Sequence, residues 1–193
     1  FLIYEPGDIP ELQNALRLWR NLAASAGLPG LYLIGVRHNR DWNAEEYGLD
    51  ASTNPSLPER RPWVSKRTPI KWFLRHWYEK TGKPTVYSYE DVIDTLLPSV
   101  PPGETDYPCL IPNWDNSPRS GVNGLVLHGS NPELFRLHAR QALQRVHGSD
   151  HEHAIIFVKS WNEWAEGNHL EPDLKYRRQY LEVLRDEFCP RGV

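Results

Sequence analysis

Apolar and polar positions along the chain alternate between two periodicities. Phe1-Leu-Ile-Tyr4 is a short apolar run that predicts a strand. Asp8 and Pro10 mark a helix start, and Leu12, Ala15, Leu16, Trp19, Leu22 and Ala23 then recur at helical spacing until Gly27 supplies a stop. Leu31 to Val36 is the next strand. A strand-helix-strand order predicts parallel neighbours joined by a right-handed crossover. Tyr47 to Ala51 predicts another short strand. Residues 52–68, rich in Pro, Arg and Ser, read as an irregular rim loop, long enough to be a lid or a binding loop. Thr68-Pro69 predicts a helix running to Lys80, with Trp72, Phe73, His76 and Trp77 on its apolar side.

The second half continues the alternation. Val86-Tyr87 is a short extended piece, and Ser88-x-x-Asp91 predicts the cap of a helix carrying Val92, Ile93, Leu96 and Leu97. After a linker over residues 98–106, Cys109 to Ile111 predicts a strand, and Gly124 to Leu127 extends briefly. Ser130 or Asn131, followed by Pro132 and Glu133, starts a helix reaching about Val146. Ile155, Ile156, Phe157 and Val158 are apolar at both parities, as in a parallel strand buried on both faces. A last helix runs from about Asp173 to Phe188, carrying Tyr176, Tyr180, Leu184 and Phe188.

This pattern predicts an α/β fold. A complete (β/α)8 TIM barrel takes about 250 residues. The count fits the C-terminal portion of one: a single domain over 1–193, with parallel strands, made of about the last five β/α units. An open doubly wound sheet would place a Gly-rich phosphate loop after the first strand, and Tyr4-Glu-Pro-Gly-Asp8 is not one.

Composition narrows the function classes. A hydrophobic content of 39% and a net charge of -3 argue against disorder and against nucleic-acid binding. The one dense basic group, Arg60, Arg61, Lys66 and Arg67, is broken by Pro62 and Trp63 and reads as a solvated loop. Cys109 and Cys189 lie far apart, outside any metal-ligand pattern, and suit a reducing, cytoplasmic setting. His151-Glu152-His153 reads as a surface loop rather than a zinc site. No metal and no cofactor are expected. No run of about 18 apolar residues spans a membrane, and no signal peptide is visible. The absence of Met and the start inside an apolar strand predict that a longer native chain carries the missing N-terminal half of the barrel.

The chemistry concentrates after the strand at 155. Trp161-Asn-Glu-Trp-Ala-Glu-Gly167 falls where a parallel strand's carboxyl end places functional groups. In a continuing strand, Glu163 and Glu166 would point to opposite faces. To share a cavity they require the chain to turn near Trp164, and Gly167 suits that turn. Two carboxylates flanking one bond can divide acid and base roles. Trp161 and Trp164 offer flat apolar faces that suit a sugar ring. The same residues also fit a structural motif, since Ser160-x-x-Glu163 is a capping-box pattern. A second polar-aromatic cluster, Pro112 to Arg119, follows the strand at 109. There Trp114 is a candidate for stacking on a sugar, and Asp115 and Arg119 for binding hydroxyls or for bracing a turn. After the strand ending at Val36, His38, Asn39 and Asp41 are candidates for ligand contact.

Both clusters resemble one family. Trp161 to Gly167 with Leu170-Glu-Pro172, and Tyr107-Pro-x-x-x-Pro-x-Trp-Asp-Asn-x-Pro-Arg119, look like the WbsX-like proteins. These are bacterial polysaccharide-biosynthesis proteins, often described as glycosyltransferases of O-antigen assembly, with a glycoside hydrolase family 99-like domain. Phe1-Leu-Ile-Tyr-x-Pro6 and His128-Gly-Ser-x-Pro-Glu133 resemble it too, so the likeness runs through nearly the whole chain. The resemblance implies a barrel and a retaining attack on α-mannoside-like bonds. It implies Glu163 as base on the sugar 2-hydroxyl and Glu166 as general acid and then base, with no protein nucleophile and no metal. It implies an oligosaccharide or polysaccharide substrate, contacted by Trp161, Asn162 and Trp164. The alternatives are a glycosyltransferase of O-antigen or lipopolysaccharide biosynthesis and a glycan-binding barrel without chemistry.

Overall fold

The structure, a computed structural model, describes residues 1–36, 43–58, 82–97, 99–100, 105–147 and 154–189. The expected helix at 68–80, His38, Asn39, Asp41 and the 151–153 triplet lie outside them. A parallel sheet forms first. Strands β1 (Leu2–Tyr4), β2 (Ile34–Val36), β3 (Ala51–Thr53) and β5 (Asp106–Tyr107) pair side by side in chain order, all parallel. Pro108 then interrupts the run, because proline has no N–H to offer a ladder. Beyond it, β6 (Cys109–Leu110) pairs on its other side with β9 (Phe157–Val158), again parallel. The Pro108 carbonyl still accepts from Phe157 N–H at 2.9 Å. Residues 106 to 110 therefore change partner half-way along, from β3 to β9.

The run at 155–158 packs on both faces as its pattern predicts, but only Phe157–Val158 forms a strand and its residues are half-buried rather than buried. Ile155 and Phe157 pack toward Ile34, Ala51 and Tyr107, while Ile156 and Val158 pack toward Leu110, Phe135 and Tyr180. That second cluster lies under two long helices, α4 (Pro132–Val146) and α5 (Gln179–Phe188). Phe135, Ala139 and Ala142 are fully buried between them. Burying a Phe or Leu side chain stabilises by about 1.5–3 kcal/mol. Arg136 and Arg140 of α4 both grip Glu187 of α5, at 2.7 and 3.0 Å. The Arg140 hydrogen bond leads in holding the Glu187 carboxyl below its usual range.

Several expected boundaries move. Helix α1 (Leu12–Ser25) starts later than Asp8 and Pro10 predict, because Pro6–Asp8 forms a 3-10 turn and Glu11 takes φ 52, which breaks the run. The strand expected at 47–51 lies at 51–53. Glu45–Tyr47 is a 3-10 turn closed by Gly48 at φ 76. Ser52 and Thr53 look like loop residues but are buried, and each finds a partner on β5: Ser52 Oγ donates to Asp106 at 2.6 Å and Thr53 Oγ1 to the Tyr107 carbonyl at 2.9 Å. Residues 52 and 53 thus belong to a strand rather than to the rim loop, and 54–58 has no regular element. Ser88 makes no side-chain cap, and the helix after it is one turn, α2 (Tyr89–Val92), followed by a 3-10 turn at Ile93–Thr95. The last helix begins at Gln179, because Asp173 Oδ1 holds the Tyr176 N–H in a turn and Arg177 takes φ 53.

A second sheet departs from the all-parallel expectation. Strand β4 (Thr85–Ser88) pairs parallel with β8 (Leu125–His128), and β8 pairs antiparallel with β7 (Trp114–Asp115). Trp114 and Asp115 are thus strand residues rather than a loop. A short helix, α3 (Ser117–Ser120), follows them.

Candidate active site

Strand β9 delivers the chain to Lys159, and a tight hairpin follows. Strand β10 (Asn162–Glu163) pairs antiparallel with β11 (Asn168–His169), with Glu163 opposite Asn168. Trp164–Glu166 is a 3-10 turn, and Gly167 closes it at φ 51 and ψ 32. The chain does leave the strand at Trp164, as two cooperating carboxylates require. Gly167 is needed twice over: its backbone is left-handed, and a Cβ there would lie 2.9 Å from the Asp115 carbonyl oxygen.

Polar groups behind the hairpin lock it to the strand end after β6. The Asn168 amide, fully buried, donates to the Asn113 carbonyl at 2.6 Å and the Lys159 carbonyl at 2.9 Å. The Asn113 side chain returns the grip, accepting from His169 N–H at 2.8 Å and donating to the His169 carbonyl at 3.2 Å. Ser160 Oγ donates to the Asn168 carbonyl at 2.7 Å and accepts from Glu163 N–H at 3.1 Å. The serine half of the capping pattern is made, but it supports a hairpin and no α-helix.

Of the two candidate carboxylates, Glu166 is the better connected. Its oxygens lie 3.6 Å from Arg119 and 3.8 Å from Lys159. Arg119 therefore reaches Glu166 rather than bracing its own turn. Asp115 does the bracing instead, accepting from Ser117 N–H at 2.9 Å and Ser117 Oγ at 2.6 Å. The Lys159 ammonium also sits 4.7 Å over the Trp114 ring. Trp114 is buried, 5% exposed, within a core of Tyr89, Leu96, Leu125 and Leu127. Tyr4, at the end of β1, joins the same region. Its hydroxyl is raised above the usual tyrosine range by burial first, then by the charge and hydrogen bond of Glu5 and by the charge of Glu166.

The open side carries the aromatics. Trp161 and Trp164 are 52% and 49% exposed, and Asn162 and Glu163 face solvent beside them. Trp164 stacks on His169 at 3.8 Å between ring centres and donates its indole N–H to Glu171 at 2.6 Å. His169 in turn meets Asp173 at 3.2 Å. One face of Trp164 is thus occupied, and its plane is fixed. Sequence reasoning assigned no role to Tyr4, Asn113, Lys159, Asn168 or His169. Asn168 and His169 sit beside the motif in sequence, which was the available signal. Among the described residues no group of three His, Cys, Asp or Glu side chains is placed to hold a metal ion.

The profile of a family described as glycosyltransferase WbsX matches residues 1–184. The chain belongs to the WbsX glycosyltransferase family. Two curated relatives, each called uncharacterized protein WxcX, come from Xanthomonas campestris pv. campestris strains B100 and ATCC 33913. They are 29% and 30% identical over 194 residues, covering 95% of this WbsX chain but 26% of their own length. The chain thus spans about a quarter of the curated relatives it matches. A solved structure called glycoside hydrolase-like protein superposes with TM-score 0.56 at 17% identity, over 97% of this chain and 53% of the other. That likeness concerns the fold. Among the described residues no helix is long and apolar enough to cross a membrane.

Proposed function

We propose that the chain forms the C-terminal portion of a (β/α)8 barrel and carries the carboxylate pair of an enzyme acting on α-mannoside-like bonds in bacterial surface-polysaccharide metabolism. The observation that carries this reading is the hairpin: it presents Glu163 and Glu166 on one turn at a parallel strand's carboxyl end, beside two exposed tryptophans. Sequential parallel order favours a barrel over a doubly wound sheet. Both outer strands border apolar surface, with Phe1 and Leu2 77% and 52% exposed at the start of β1 and a groove lined by Val146, Ile156, Val158 and Phe188 beside β9. The remaining strands, on the same native chain, would close the barrel between them.

In this mechanism Glu163 removes the proton from the 2-hydroxyl. That oxygen attacks the anomeric carbon, and Glu166 protonates the departing oxygen. Glu166 then takes a proton from the entering group as it attacks the anomeric carbon, and Glu163 returns its proton to the 2-oxygen as the anhydro ring opens. Two inversions give retention. Substrate entry must displace Arg119 and Lys159 from Glu166 before it hands over a proton. Water as the entering group gives hydrolysis, and a sugar hydroxyl gives transfer; the family's description favours transfer. Removing a general acid or base costs about 10²–10⁴-fold. Glu163→Gln and Glu166→Gln in the full-length protein are therefore expected to lose at least 100-fold in turnover of α-mannoside substrates while keeping glycan affinity. Full activity in Glu166→Gln refutes the assignment, and glycan affinity without turnover in any form identifies a binding barrel.

A further inference from the structure

Glu166 faces two cations, one on each oxygen. Arg119 Nη1 lies 3.6 Å from Oε1, and Lys159 Nζ lies 3.8 Å from Oε2. They come from different elements: Arg119 from the short helix α3, Lys159 from the residue after β9. Lys159 is placed from its backbone outward. Its N–H donates to the Leu110 carbonyl at 2.8 Å, its carbonyl accepts from the Asn168 amide at 2.9 Å, and its ammonium lies over the Trp114 ring. Arg119 is held less firmly, with its side chain 64% exposed. An ion pair at that exposure contributes little to folding, so Arg119 can exchange one anion for another at small cost.

Two positive charges thus share one negative charge. The other carboxylates of the region are engaged elsewhere. Asp115 accepts twice from Ser117, Glu171 accepts from the Trp164 indole, and Asp173 meets His169. In the acid step proposed above, Glu166 carries a proton and no charge. Arg119 and Lys159 then lose their counter-charge while substrate excludes water, and a cation left unpaired in such a place is costly. A neutral sugar hydroxyl can accept an N–H but brings no charge. An anion on the substrate restores both pairs, and a carboxylate or a phosphate ester has the oxygens to meet a guanidinium and an ammonium together. Because Glu166 protonates the departing oxygen, that anion belongs on the leaving side of the bond. Exposed Trp161 and Trp164 on the same hairpin offer apolar faces, which suit an anion carried by a sugar rather than a free ion.

We infer that the substrate is an acidic glycan, whose leaving-side sugar carries a carboxylate or phosphate ester that takes Arg119 and Lys159 over from Glu166; this substrate class rests on the role of Glu166 as general acid. The test is calorimetric titration of the full-length protein with neutral, uronate and 6-phosphate methyl α-glycosides in the mannose and glucose series, with inorganic phosphate as the free ion. At least one acidic glycoside is expected to bind about 10-fold more tightly than its neutral counterpart at about 50 mM salt, by an advantage that shrinks as salt rises. The uronate and phosphate arms tell which acid is read. Arg119→Gln alters an exposed side chain, and Lys159→Met keeps the backbone bonds and an aliphatic chain over Trp114. Each is expected to cut the acidic advantage to about 3-fold or less and to leave neutral affinity within about twofold. Glu166→Gln removes the competing carboxylate and is expected to tighten acidic binding about 3- to 10-fold. Equal affinity for acidic and neutral glycosides, a preference unchanged in both cation variants, weaker acidic binding in Glu166→Gln, or inorganic phosphate binding as tightly as the phosphorylated glycosides each overturns the acidic substrate. Turnover of Glu166→Gln is read separately. Its loss beside equal affinities removes the acidic substrate alone, and full turnover beside an acidic preference removes the acid role of Glu166 alone.

Discussion

Gly167→Ala tests how the candidate site is held. Two separate costs apply. Residue 167 sits at φ 51 and ψ 32, where an L-residue loses about 1–2 kcal/mol. The new Cβ would also lie 2.9 Å from the Asp115 carbonyl oxygen and 3.0 Å from Asp115 N and Cβ, closer than carbon atoms approach. These are backbone and near-backbone atoms that cannot swing aside, so overpacking adds about 1–3 kcal/mol. The expected loss is about 2–5 kcal/mol, against a typical total stability of about 5–15 kcal/mol. Gly48→Ala is the matched control. Gly48 is also left-handed, at φ 76 and ψ 24, but its Cβ would meet only Leu16 at 3.8 Å and Gln13 at 4.0 Å, ordinary contacts. Its loss should be the backbone part alone. Urea unfolding of both variants measures the difference. Turnover of the full-length Gly167→Ala protein then reports whether the hairpin has shifted the carboxylates. If both variants lose the same amount within about 0.5 kcal/mol, the tight contact with Asp115 does not constrain the turn and the reasoning fails.

Three further outcomes follow from other contacts. Asn168→Ala removes two hydrogen bonds and leaves the carbonyls of Asn113 and Lys159 without them, so a loss of about 2–4 kcal/mol is expected in urea unfolding; a loss below about 1 kcal/mol would deny Asn168 its locking role. His138 is buried, its Nε2 accepts from Ile111 N–H at 3.2 Å, and burial lowers its pKa from 6.5 to about 4. The unfolded chain binds this proton more readily, so the stabilisation is complete above about pH 6.5 and fades as pH falls toward about 4, by about 3 kcal/mol. Urea midpoints across that window should fall more steeply for the wild type than for His138→Gln, and equal slopes would exclude His138 as the cause. Burial pushes the Cys109 thiol up to about 12, with Lys159 opposing, while Cys189 is exposed. A thiol reagent at about pH 8 should label one cysteine in the folded chain and two after unfolding, and native labelling of Cys109 would contradict its burial.

Local chemistry made some parts of this molecule readable. Helix α4 runs from Pro132 to Val146 as predicted, because Asn131 Oδ1 caps Leu134 N–H at 2.9 Å and Pro132 occupies the first turn. The Gly167 turn and the two-faced run at 155–158 were readable for the same reason, since one residue's backbone need or one strand's parity decides each. Strand β7 was not readable. Trp114-Asp115 becomes a strand only because β8, separated from it by α3, lies alongside, and no local propensity announces that pairing. Ser52 and Thr53 look like loop residues until Asp106 and Tyr107 supply their partners. The Glu166 charge acts on the Tyr4 hydroxyl although the two residues lie near opposite ends of the chain, and no local pattern in the sequence announces that relation.

The anchoring of the hairpin bears on how such a protein can diversify. Ser160, Asn113, Asn168 and Gly167 hold the turn, whereas the Glu163 side chain is exposed and makes no hydrogen bond or ion pair among the described residues. The scaffold and the candidate catalytic side chain are separate. Exchange at position 163 therefore carries little folding penalty, so the side chain presented there can change without disturbing the frame beneath it.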